Sequence, residues 1–246
     1  MKKRLILAAT AATLLVTGIA GAAPGDRWRE RMAARSGTAQ APAATTPAQV
    51  IAYGRDPAQS LNYWRAARTG NRAPLVVFIH GGGWSRGSKD NASGQWKATH
   101  YPQAGYNFAS IDYRMVPAFT VEQQAADVAS ALKALLDRAD ALGIDRRHVV
   151  LMGHSAGAHL AALVGTDERY LRGAGLSFAD LSGVIPLDGA GYDVAAQLTG
   201  AGPRLKRTYV QAFGTDPARQ RALSPMSHAG APNAANFLFV HVDRDD

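Results

Sequence analysis

Ser155 is the residue of this chain whose surroundings most clearly suggest chemistry. It sits in Gly153-His154-Ser155-Ala156-Gly157, a G-x-S-x-G spacing. Before it lies the apolar, initially β-branched run Val149-Val150-Leu151-Met152, and after it a helix-forming run over residues 158–164. A buried strand, a sharp turn carrying serine and a helix together describe a nucleophile elbow. The turn lifts the hydroxyl above the sheet edge. The helix N-terminus beneath it offers N–H groups that have no acceptor within the helix. The two glycines have a steric reason: strand and helix pass so close that a Cβ at either position is expected to clash. The chemistry this predicts is nucleophilic attack by the serine on a carbonyl carbon.

A second stretch suits the same reaction. The apolar run Leu75-Val76-Val77-Phe78-Ile79 ends in His80-Gly81-Gly82-Gly83-Trp84. Successive glycines let the backbone approach a ligand and turn its N–H groups inward, which is what the oxyanion of a tetrahedral intermediate requires. A phosphate cradle would need a following Lys and Ser/Thr at P-loop spacing, and the sequence lacks them.

Both motifs must be carried by a sheet. Residues 51–53 and 61–64 read as short strands joined by the turn-prone Gly54-Arg55-Asp56-Pro57. Residues 75–79 read as a central strand buried on both faces, and residues 106–114 as the next strand with its exit. Asp112 and Arg114 at that exit are expected to pin a loop. One long amphipathic helix is predicted over 121–142, with Ala125, Val128, Leu132 and Leu135 on one face and Gly143 as its stop. Residues 181–188 suggest another strand, 203–227 helical pieces, and 237–242 a last strand. Strands alternating with helices predict an α/β fold with a mainly parallel sheet flanked by helices on both faces.

Length and composition agree. A chain of 246 residues with 47% hydrophobic content suffices for one sizeable core. There are no cysteines, which excludes disulfides, thiolate catalysis and cysteine-ligated metals. The formal net charge is +8; setting aside Lys2, Lys3 and Arg4 leaves +5, with a modest basic cluster at Arg27, Arg29, Arg31 and Arg35. There is neither a basic stripe nor a recognisable nucleic-acid-binding module, so no nucleic-acid partner is expected.

The chain opens with a basic Lys2-Lys3-Arg4, an apolar stretch over 5–20, and Ala20-Gly21-Ala22, an A-x-A exit. Residues 1–22 are read as a secretory signal peptide, with Ala23 as the new N-terminus. A periplasmic or secreted location follows, with no stable membrane anchor after cleavage. Residues 23–49 are expected to be a linker or poorly ordered arm, and residues 50–246 the domain proper.

With both motifs placed, the sequence resembles the α/β-hydrolases of the esterase/lipase group that carry H-G-G-G-W and G-H-S-A-G. Acetyl esterases, feruloyl-esterase-like proteins, hormone-sensitive-lipase-like carboxylesterases and kynurenine formamidases are its apparent relatives. Residues 53–61 and Asp112-Tyr113-Arg114 share in the likeness, which covers residues 50–246. The resemblance implies Ser155 as nucleophile, with oxyanion donors from Ala156, Gly82 and Gly83. It implies that His80 braces the glycine loop. It implies no metal or organic cofactor and a small-molecule ester as substrate, an N-formyl amide or a non-catalytic binding role being the alternatives. For the triad acid it points to Asp245, with Asp243 close behind and Asp188, after the preceding strand, as an outside candidate. The base of the family lies some tens of residues beyond the acid, where this chain has none, so its catalytic histidine is expected to be missing and the sequence resembles a C-terminally truncated hydrolase. His159 is read as packing or solvation and His154 as the variable motif residue beside the nucleophile. His228 and His241 fall outside the expected loop.

Overall fold

The computed structural model describes residues 49–67, 72–230 and 232–242. The leader, nearly all of the arm, and Asp243 and Asp245 lie outside the described residues. Six strands form one sheet in the order β1-β2-β4-β3-β5-β6: β1 (Gln49–Ala52), β2 (Ser60–Trp64), β3 (Ala73–Ile79), β4 (Asn107–Ile111), β5 (Ile144–His154) and β6 (Gly183–Leu187). β1, β2 and β4 are joined antiparallel, while β4, β3, β5 and β6 run parallel. The helices are α1 (Ala92–Gln103), α2 (Val121–Asp137), α3 (Ala139–Leu142), α4 (Ala156–Thr166), α5 (Glu168–Gly173), α6 (Val194–Gly200), α7 (Pro203–Phe213) and α8 (Pro217–Ala222). None of the described helices is long and apolar enough to cross a membrane.

The alternation in β3 sets the layers. Leu75, Val77 and Ile79 face one side and join the larger core with Val128, Leu132 and Leu135 of α2 and Leu160 and Leu163 of α4. Val76 and Phe78 face the other side, packing with Phe108, Met152 and Ala98 of α1. Both faces of the sheet are therefore covered, as the continuous apolar run required.

Two expectations need correction. The helix over 121–142 is broken at Arg138 (φ −104°, ψ 15°), giving α2 and the short α3. Its start is secured by a Thr120–Gln123 capping box and its end by Gly143 in the left-handed region (φ 71°), as the glycine stop predicted. The last strand is also shorter than its apolar run suggests. Phe237 and Val240 make isolated parallel bridges to Val184 and Leu187, with no continuous ladder. The reason lies in β6. Val184 N–H donates to Asn236 C=O (2.9 Å) and Asp188 N–H to Val240 C=O (2.7 Å), but the rung between them falls on Pro186, which has no N–H. The segment lies along the sheet edge with Leu238 and Phe239 exposed.

The strand exit behaves as expected. Asp112 accepts from Lys89 N–H (2.6 Å) and Lys89 Nζ (2.8 Å). Arg114 forks onto the buried Asp127 of α2, with Nη2 at 2.7 Å and Nε at 2.9 Å, and Gln59 Nε2 adds a third side-chain donor at 2.8 Å. Losing one partner of a buried pair costs about 3–5 kcal/mol. The one-fifth exposure of Arg114 places this pair toward the lower end of that range. Both residues thus pin loops: Arg114 fixes the chain leaving β4 against α2, and Asp112 holds the segment at Lys89.

Candidate active site

Ser155 joins β5 to α4 with φ 53° and ψ −118°, a conformation that a side chain other than glycine's rarely adopts. Such a residue is held at a penalty of order 1–3 kcal/mol. Its surroundings leave little alternative. A Cβ on Gly153 would lie 2.0 Å from Gly157 C=O, and one on Gly157 would lie 2.2 Å from Ile79 C=O. The expected close passage of strand and helix is therefore present, and both glycines are required by it. Ser155 N–H donates to Leu187 C=O (3.0 Å), tying the elbow to β6. The Ser155 side chain does not cap α4. The first N–H of that helix, on the buried Ala156, has no intrahelical acceptor.

The glycine loop reaches this elbow. A Cβ placed on Gly81 would lie 3.0 Å from Ser155 Cβ and 2.9 Å from His154 C=O. The two motifs, far apart in sequence, thus meet in van der Waals contact. Beyond Gly81, three consecutive residues have positive φ: Gly82 (133°), Gly83 (60°) and Trp84 (59°). A Cβ on Gly82 would meet Arg86 C=O at 1.9 Å, so the turn admits only glycine there. The structure brings Ser155, Ala156 and the loop of Gly82 and Gly83 to one end of the sheet. Gly81, nearest of the loop glycines to the serine, and Thr208 of α7, whose Cγ2 would lie 3.0 Å from a Cβ on Gly83, were not singled out from the sequence. The glycine run itself was the signal for Gly81. Nothing local signals Thr208.

The described histidines sort by position. His80 is buried, its Nδ1 is 2.8 Å from Gly81 C=O, and it stacks on Tyr113 at 4.4 Å. It braces the loop, and burial holds its pKa below the ordinary imidazole value, against the opposing pull of the Gly81 carbonyl and Asp112. His154 is exposed next to Ser155; desolvation lowers its pKa although the Asp188 carboxylate pulls the other way. His159 is fully buried and pushed down to about 4 by burial, with its Nε2 2.8 Å from Leu223 C=O. It lies packed in the interior, as expected. His228 is bonded to Ala222 C=O (3.0 Å) and lies 3.8 Å from Asp167, which follows the far end of α4. The length of that helix, about 16 Å at 1.5 Å per residue, separates it from Ser155.

His241 is different. His154, Leu187 and Val240 pair across three neighbouring parallel strand ends, so Ser155, Asp188 and His241 are the next residues along one edge. His241 Nδ1 lies 2.8 Å from Asp188 Oδ1. Asp188 is held at φ 46°, a third non-glycine residue with positive φ. Of the acid candidates, Asp188 is thus beside the elbow, and Asp243 and Asp245 fall just past the described residues.

The parallel sheet, the elbow and the facing glycine loop define an α/β-hydrolase. The BD-FAE family model matches residues 61–182. Esterase LipC of Mycobacterium tuberculosis is 32% identical over 207 residues, covering 79% of this chain and 50% of that protein. Kynurenine formamidase of Danio rerio is 28% identical over 150 residues, covering 56% of this chain and 49% of that protein. Among solved structures, esterase B from Lactobacillus rhamnosis superposes with a TM-score of 0.66 at 24% identity, over 87% of this chain and 72% of that one, a likeness of fold. The family model and the curated relatives support an esterase/lipase family of α/β-hydrolases for this chain. It spans about half the length of the two curated relatives.

Proposed function

We propose that this chain is a serine hydrolase that cleaves short-chain carboxylic esters through an acyl-enzyme on Ser155. The observation that carries the reading is the contact between the serine and the glycine loop, 3.0 Å from Ser155 Cβ to a Cβ position on Gly81. Ser155 Oγ attacks the carbonyl carbon while its proton passes to a base. The carbonyl oxygen becomes an oxyanion facing the N–H groups of Ala156, Gly82 and Gly83. Collapse expels the alcohol with a proton, leaving an acyl ester on Ser155, and water then repeats the sequence to release the acid. For the base, its place beside Asp188 supports His241 as the first described histidine to substitute, whereas His80 and His159 are buried and His228 is a helix length away. For the acid, Asp245, Asp243 and Asp188 stand as candidates. Export by the leader would place the enzyme in the periplasm or outside the cell.

The likeness to a kynurenine formamidase supports a second substrate class, an N-formyl amide, served by the same machinery. The likeness to an esterase, which extends over more of this chain, favours the ester. A non-catalytic role sits poorly with a serine held in a strained conformation beside a glycine loop, since neither is needed for packing. The test compares turnover of p-nitrophenyl acetate, p-nitrophenyl decanoate and N-formylkynurenine, with Ser155→Ala as control. Ser155-dependent turnover greatest on the acetate is expected. Faster turnover of the formamide would overturn the ester assignment, and turnover indifferent to Ser155→Ala would overturn the mechanism.

A further inference from the structure

The loop that faces Ser155 contains a residue that should resist its own conformation. Glycine accepts positive φ at Gly82 and Gly83, but Trp84 follows them at φ 59°, where a bulky side chain is strained. Such a conformation persists only if the surroundings over-determine it. They do. Trp84 C=O accepts from Gln124 Nε2 (2.8 Å) and Val116 N–H (3.1 Å). Its indole meets the rings of Tyr209 and Phe213 edge-on, at 5.4 and 4.7 Å. The polar end of the indole, Nε1–H, donates to Nδ1 of His159 at 3.2 Å.

His159 is joined to the site from three directions. Its backbone N–H donates to Ser155 C=O (3.2 Å), one turn into α4. Its Nδ1 accepts a hydrogen bond from the indole N–H of Trp84. Its Nε2, 2.8 Å from Leu223 C=O, reaches the segment after α8. Indole can only donate and a carbonyl can only accept, so the imidazole must be neutral with its proton on Nε2. A ring with both nitrogens assigned in this way, and no exposed surface, has no role as a shuttle for substrate protons. It is rigid, and it holds the loop and the nucleophile to one reference.

We infer that His159 is a positioning residue: by holding Trp84 it fixes where the N–H groups of Gly82 and Gly83 point, and so sets the quality of the oxyanion site. The inference rests on the ester-hydrolase reading of Ser155. It differs from simple packing in a checkable way. Packing asks only for a ring of suitable shape. Positioning asks for an acceptor toward Trp84 and a donor toward Leu223, which a glutamine amide also supplies and a phenylalanine does not.

The experiment measures kcat and KM on p-nitrophenyl acetate for the wild type, His159→Phe and His159→Gln, with circular dichroism melts to establish folding. Full loss of one oxyanion donor costs about 100- to 1000-fold in kcat, so a displaced loop is expected to cost about 10- to 100-fold. His159→Phe should show that fall with KM within about threefold, and His159→Gln should recover most of it. A folded His159→Phe with wild-type kcat would overturn the inference, as would equal losses in Phe and Gln. If His159→Phe does not fold, Trp84→Phe removes the same hydrogen bond from the other side. It should lower kcat in the same way, and unchanged kcat there would also overturn the inference. Ser155→Ala, measured in parallel, keeps the two claims apart. Turnover surviving Ser155→Ala refutes the hydrolase reading, whereas a dead Ser155→Ala beside a normal His159→Phe refutes only the positioning role.

Discussion

Replacing Ser155 with glycine should make the protein more stable. Ser155 is held at φ 53°, ψ −118°, against the preference of any side chain with a Cβ. Strain of this kind is worth about 1–3 kcal/mol. Glycine removes it but adds backbone entropy to the unfolded chain, an opposing term of about 0.5–1 kcal/mol. The net gain for Ser155→Gly is about 0–2.5 kcal/mol, centred at about 1 kcal/mol. A domain of this size shifts its Tm by about 2–4 °C per kcal/mol, so a rise of about 2–5 °C is expected at that centre. Ser155→Ala is the control. It removes the same hydroxyl but keeps the Cβ, and therefore the strain. Thermal melting of both variants by circular dichroism at pH 7.5 separates the effects. Ser155→Gly should melt above Ser155→Ala, and both should be inactive. Equal melting temperatures would refute the idea that the serine is held under strain for the sake of its reaction.

Burial of neutral His159 should make the fold acid-sensitive. Its folded-state pKa of about 4 lies below the ordinary value of 6.5 in the unfolded chain, so the unfolded state binds more protons between those values. Stability is complete above pH 6.5 and falls by up to about 3 kcal/mol as pH drops toward 4, with His80 adding in the same direction. Urea titrations at pH 7 and pH 4 should show this fall in the wild type and a smaller one in His159→Gln; equal falls would count against it. Gly82→Ala should force the loop away from Arg86 C=O and lower kcat on p-nitrophenyl acetate by about 100- to 1000-fold, with the protein still folded; near-normal kcat would remove Gly82 from the oxyanion site. N-terminal sequencing of exported protein should begin at Ala23, and a start at Met1 would contradict the leader.

Much of the central sheet was legible because burial on both faces leaves a run of apolar residues, as in β3 and over residues 149–152 of β5. The elbow was legible for a different reason: its glycines are steric necessities, so the pattern is written in the chain. Less legible was α1. It buries only Gly94, Ala98, Thr99 and Pro102, and so carries no apolar stripe. The break at Arg138 has no proline or glycine to announce it. The weak last strand was foreshadowed only by Pro186 in its neighbour, and reading it required the register. The site divides in the same way. Ser155, Ala156, Gly82 and Gly83 are recognisable from local motifs. The contact of Gly81 with Ser155, the Asp188–His241 pair and the Trp84–His159 bond depend on which strand ends and helices become neighbours, and no local spacing encodes that.

The central claim is that Ser155 is the reactive nucleophile. It is tested most directly by treating the folded protein with a fluorophosphonate and mapping the adduct by peptide mass spectrometry. The account predicts one stoichiometric adduct on the peptide containing Gly153-His154-Ser155-Ala156-Gly157, abolished in Ser155→Ala. An adduct on another residue, or full labelling of Ser155→Ala, would contradict it.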